Sequence, residues 1–218
     1  MNLMAFMLGV CWMIALCPAF AKEKAADLWV EQKGVALLPE RQADGDSFGM
    51  TVKSAKGNPV KRTYRLYGAD CPESNGDDKF VAERIKEQAE HFGCKPEGIP
   101  VLGKEAAAFT EKLLKNGDPK VRTHGKMGQK VQKVEGRPQR YYALVEVTTE
   151  DGKRRWLHEL LLEAGLARAH GEPAAWPPEV EDRHCEKEAG DRFMKGLELL
   201  EQNAKKAGLG AWRKAGVR

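Results

Sequence analysis

Six residues of this 218-residue chain have the types and spacing that phosphoryl chemistry uses. Asp44 and Asp46 flank Gly45 in the stretch DGDSF, and Arg65, Asp70 and Glu73 fall within YRLYGADCPES, residues 64–74. Arg140 follows in GRPQRYYALV. Clustered carboxylates beside main-chain carbonyls are hard oxygen donors, the preference of Ca²⁺ or Mg²⁺. In such a site a metal polarises phosphoryl oxygens, Glu73 orients or deprotonates water, and Arg65 and Arg140 hold the charge growing on phosphorus. Asp-Gly-Asp is also an ordinary turn, and Arg65 could pair with a carboxylate for structure alone. Residue types and spacing leave both readings open.

The elements that must position these residues are legible as periodicities. Phe48, Met50 and Val52 alternate with polar neighbours, and Tyr64 and Leu66 alternate within 61–68 after the turn-forming AKGNP; both read as strands. This pairing sets the Asp44-Gly45-Asp46 turn at the entry of one strand and Asp70 at the exit of the other. Residues 78–92 predict an amphipathic helix with Val81, Ile85, Ala89 and Phe92 inward and Asp77-Asp78 as cap. A second helix is predicted over 104–116, closed by Gly117. Strands follow at 121–123, 140–148 and 154–157, then a helix in HELLLEAG and a last one over 192–207. Residues 25–38 hold enough apolar positions for a first strand. Strands first and helices interleaved late make an α+β domain rather than an alternating parallel sheet.

Composition bounds the rest. With 42% hydrophobic and 31% charged residues the chain has ordinary globular character. Residues 1–21 carry no charge and end in Pro18-Ala19-Phe20-Ala21 before Lys22, which reads as a secretory signal cleaved after Ala21, with an uncleaved membrane anchor as the other reading. Export would make the protein secreted or periplasmic. The net charge is only +4, but between Lys112 and Arg140 nine Lys or Arg face only Asp118 and Glu135. Such a stretch suits a polyanion or is simply a solvated face. No cysteine or histidine set has zinc spacing.

The blocks DGDSF, YRLYGADCPES, LGKEAAAFTEKLL, GRPQRYYALV, LHELLLEAGLAR and LELLEQNAKKAGLGAW resemble, in that order, the thermonuclease (staphylococcal-nuclease-like) family over most of 44–212. The resemblance implies a five-stranded OB-type β-barrel with three core helices, here with an extra inserted helix. It implies Ca²⁺-dependent hydrolysis of DNA and RNA to 3′-phosphates. Nothing in the sequence suggests an obligate interface, so a monomer with no stable protein partner is the expectation. Asp46 and Asp70 match the calcium carboxylates, Cys71 a residue that ligates through its main-chain carbonyl, and Asp44 a supporting carboxylate. Glu73 matches the general base, Arg65 and Arg140 the phosphate-gripping arginines, and Arg137 a basic residue beside the nucleotide. Where the family stacks tyrosines on the nucleotide, this chain has Pro138 and Gly171 to Pro173; Tyr67, Tyr141, His170 and Trp176 are the candidates to replace them. Against the family pattern, about 75–100 and 172–191 are insertions, each with one cysteine, and Cys94 and Cys185 either form a disulfide or remain thiols. The other reading is an inactive module of the same fold that binds single-stranded nucleic acid.

Overall fold

A computed structural model describes residues 29–38, 40, 44–76, 79–124, 140–171 and 186–213. The apolar leader 1–21, the Asp77-Asp78 cap, Arg137, Trp176, Cys185 and most of the basic stretch beyond His124 lie outside the described residues. No described helix is long and apolar enough to cross a membrane.

Short strands β1 (Trp29–Glu31) and β2 (Ala36–Leu38) precede the hairpin of β3 (Ser47–Lys53) and β4 (Pro59–Leu66). The hairpin turn is closed by Gly57 N–H on the Ser54 carbonyl at 2.8 Å. Gly57 has φ +82°, left-handed backbone that a side chain rarely adopts. β5 (Gly68–Asp70) is a separate three-residue strand beyond Tyr67. Helices α1 (Lys79–Phe92) and α2 (Ile99–Asn116) follow, joined through a 3₁₀ turn at Pro96–Gly98. Strands β6 (Lys120–His124), β7 (Arg140–Thr148) and β8 (Arg154–Trp156) lead to α3 (Leu157–Glu163), β9 (Arg168–His170) and α4 (Glu186–Ala207).

Seven strands form one sheet in the order β1-β6-β7-β4-β3-β2, with β8 also on β7. The β4–β7 pair is parallel and the other pairs are antiparallel. β5 pairs only with β9 in a small second sheet. Among the described residues the result is mixed α+β with four helices and a main sheet that is an open path.

The alternation seen in the sequence is what the core uses. Phe48, Met50, Val52, Tyr64, Leu66, Val121, Val145 and Val147 face inward and are buried against Leu157, Leu161 and Leu162 of α3 and Ala106 and Leu114 of α2. Each large apolar side chain buried there contributes about 1.5–3 kcal/mol. α1 buries Val81, Ile85, Ala89 and Phe92 in a separate cluster with Ile99, Leu102 and Ala211. A third cluster joins Trp29, Tyr67 and Leu144.

The sequence reading departs from the structure most at the starts of two helices and in the short strands. α2 begins at Ile99 rather than 104, because Pro100 lies in its first turn, where a missing N–H costs nothing. α4 begins at Glu186 rather than 192. β9 was not foreseen: three residues are too few for periodicity to register.

Candidate functional site

The β3–β4 register sets Ser47 opposite Arg65, so the neighbouring Asp46 lies at the mouth of the hairpin beside the arginine. The β5–β9 register sets Asp70 opposite Arg168. In β7, Arg140 lies opposite Thr63 and its Nη1 reaches Ser47 Oγ at 3.4 Å. The strand ends therefore bring Asp46, Arg65, Asp70 and Arg140 together from positions far apart in sequence.

α2 fixes the turns beneath them. The Thr110 hydroxyl donates to the Gly45 carbonyl at 2.6 Å. Gly103 lets the helix press on the Pro72–Glu73 backbone: a Cβ there would lie 2.4 Å from the Glu73 carbonyl oxygen. Asp44 Oδ1 accepts from Ser74 N–H at 3.0 Å, which ties the first turn to the segment carrying Glu73.

Asp46 and Asp70 are both fully buried. Asp46 Oδ1 accepts from Arg65 Nη1 at 2.6 Å and Ser47 Oγ at 3.0 Å, while Oδ2 accepts from Cys71 N–H at 2.6 Å. Asp70 Oδ1 accepts from Arg65 Nη2 and from Arg84 Nη2, the latter at 2.7 Å. Its Oδ2 accepts from Arg168 Nε at 2.9 Å and Gln88 Nε2 at 3.3 Å. Arg84 Nε also donates to Glu73 Oε1 at 2.6 Å. Gln88 completes the network: its Oε1 accepts from Glu73 N–H at 2.9 Å and its Nε2 donates to the Cys71 carbonyl at 3.0 Å.

The electrostatics separate the two aspartates. Burial raises the Asp46 carboxyl, with the Arg65 guanidinium opposing the rise and Asp70 adding to it. Burial pushes Asp70 the same way, but Arg65, Arg84 and Arg168 overcome it and hold that carboxyl well below the usual range. Arg65 is fixed as a cation: burial works against its charge, and Asp46 and Asp70 more than restore it. The Glu73 carboxyl is raised by burial and by Asp44, against the pull of Arg84, the direction that suits a group taking a proton near neutral pH.

The fit to calcium is poor. Ca²⁺ takes six to eight oxygens, yet each oxygen of Asp46 and Asp70 faces at least one N–H or O–H donor, and the Cys71 carbonyl faces Gln88. Among the described residues no three His, Cys, Asp or Glu side chains are grouped to hold a metal.

Two other expectations are corrected or narrowed. Tyr67 is no nucleotide platform: it is 4% exposed, stacked on Phe193 and edge-on to Trp29 and Tyr142. Tyr141 remains half-buried with the Arg62 guanidinium 5.1 Å over its ring. Cys71 is buried and unpaired, and burial lifts its thiol well above the ordinary value. Half-buried Cys94 packs beside the α1 cluster, and its pairing with Cys185 falls outside the described residues.

Sequence reasoning missed Arg84, Gln88 and Arg168. The spacing of Arg84, Glu87 and Gln88 puts them on one helical face, and a charged face of this kind reads as solvated. Arg168 closes the block LHELLLEAGLAR, but its role depends on β9. Compared with known proteins, the chain matches no family model and no curated sequence.

Proposed function

We infer that the protein is a phosphodiesterase acting on nucleic acid, a nuclease of DNA and RNA with little sequence preference, on an OB-type barrel of the thermonuclease kind. The observation that carries this reading is the convergence of Asp46, Asp70, Arg65, Glu73 and Arg140, spread over nearly a hundred residues, at one end of the sheet. They are the two aspartates that the resemblance casts as calcium carboxylates and the three side chains that it casts as catalytic. Arg65 and Arg140 are suited to hold a phosphate and the charge that develops on it. The raised Glu73 carboxyl is suited to orient and deprotonate water. The resemblance implies calcium, but the donors among the described residues do not fit it.

One observation favours the second reading, an inactive module that binds single-stranded nucleic acid. Asp46 and Asp70 are both fully buried in ion pairs, an arrangement that serves structure as well as chemistry. Digestion of plasmid and single-stranded DNA, with and without chelator, separates the two. Cleavage that disappears in Arg140→Ala and in Glu73→Gln supports the enzyme. Binding without cleavage by the wild type supports the module.

A further inference from the structure

α1 belongs to the segment that distinguishes this chain from the family pattern, and it has two faces. Its apolar side packs into its own cluster. Its other side returns Arg84, Glu87 and Gln88 to the aspartates. Arg84 joins Asp70 Oδ1 at 2.7 Å to Glu73 Oε1 at 2.6 Å. Glu87 takes Arg168 Nη2 at 2.9 Å, holding that arginine against Asp70 from the far side. Gln88 donates to the Cys71 carbonyl, the main-chain oxygen that a metal would need.

Charge decides what this arrangement does. Asp46, Asp70 and Glu73 are matched by Arg65, Arg84 and Arg168; with Asp44, Glu87 and Arg140 counted as well, five carboxylates face four arginines, so the cluster is within one charge of neutral without any ion. A divalent cation added to it would leave a net positive charge in a largely buried place, which is costly. It would also have to break hydrogen bonds to fully buried carboxylates.

We propose that Arg84 is a resident cation of this site: it bridges Asp70, one of the two carboxylates that a divalent ion would need, to Glu73, and with Arg65 already between Asp46 and Asp70 it excludes calcium from the cluster. The proposal takes the identity of the site from the phosphodiesterase reading, but its test does not depend on turnover.

Calcium is titrated calorimetrically into the purified chain, and melting temperature is measured with and without calcium. The wild type shows no saturable binding and no calcium-dependent shift. In Arg84→Met the exposed negative charge of Asp70 and Glu73 draws the ion, with affinity at least about tenfold above wild type, because calcium affinity follows ligand charge. The melting temperature then rises with calcium. Arg84→Lys keeps the cation and behaves as wild type. Adding Asp70→Asn to Arg84→Met removes the new binding.

Wild-type binding as tight as that of Arg84→Met overturns the proposal, and so does an Arg84→Met protein that binds no calcium. Arg84→Gln carries the same test if the methionine variant does not fold, and if neither folds, saturable binding by the wild type overturns the exclusion by itself. A chain that shows the expected binding pattern but cleaves nothing sinks the nuclease reading and leaves Arg84 in its role. An active, chelator-sensitive wild type that binds calcium does the reverse.

Discussion

Arg65 and Arg140 are equivalent in the resemblance but not in their surroundings, and substitution should tell them apart. Arg65 is 13% exposed and shared between two fully buried aspartates, so its removal takes the paired guanidinium from Asp46 and one of three from Asp70. Breaking a buried ion pair from one side costs about 3–5 kcal/mol. Arg140 is half-buried and reaches Ser47 Oγ at 3.4 Å. The sequence alone suggests that either alanine variant stays folded and loses activity. The structure revises this for Arg65. Arg65→Ala should lower the urea midpoint severely as well as activity. On the proposed nuclease reading, Arg140→Ala should lower turnover about 10²–10³-fold, the usual effect of losing one transition-state donor, at a smaller loss of stability. Urea unfolding and a digestion assay on both variants check this; equal stability losses would mean that Arg65 is not held as described.

The way α2 meets the Pro72–Glu73 segment gives a second prediction, at the scale of elements. A Cβ at Gly103 would meet the Glu73 carbonyl oxygen at 2.4 Å, the Glu73 carbonyl carbon at 2.5 Å and the Pro72 oxygen at 2.7 Å. These are backbone atoms and cannot rotate aside, so helix or loop must move. Gly103→Ala should cost roughly 1–3 kcal/mol, the range for overpacking, and should move Glu73 relative to Asp70. Thermal melts measure the first effect and loss of turnover reports the second; an unchanged melting temperature would show that the loop yields freely. The same helix shows where sequence stops being informative. Its apolar face over 106–114 was legible from spacing, as were β3, β4 and β7, because one buried face imposes a period. Its first turn was not, since Pro100 and Gly103 read as breakers until the packing that needs them is known. Asp46, Asp70 and Arg65 were legible as a set from their strand-end positions. Arg84, Gln88 and Arg168 were not, because what each side chain meets depends on how α1 and β9 dock, and three-residue β9 leaves no periodic trace.

Acid should act on the whole molecule through a residue outside the site. His158 of α3 is buried, stacked on Trp156 and edge-on to Phe193, and neither ring nitrogen has a hydrogen-bond partner among the described residues. Burial lowers its pKa from 6.5 to about 3. Between those values the unfolded chain takes up a proton that the folded one refuses. Stability is therefore lost as pH falls through that window, by up to about 1.4 kcal/mol per pH unit. Asp46 works in the opposite sense: its raised carboxyl contributes stability at low pH that disappears as pH rises through its folded value. Where the two windows overlap, the wild-type profile is flattened. Asp70, held low by three arginines, contributes stability above its unfolded value and loses it only in strong acid. His158→Phe removes one member of this set and replaces a polar ring by an apolar one in an aromatic pocket. The variant should gain stability over wild type, more at about pH 5 than at about pH 8, and its own profile should fall with rising pH where the wild type is flat. Urea unfolding of both proteins across this range measures the difference, and parallel profiles would show that His158 titrates alike in the folded and unfolded chains.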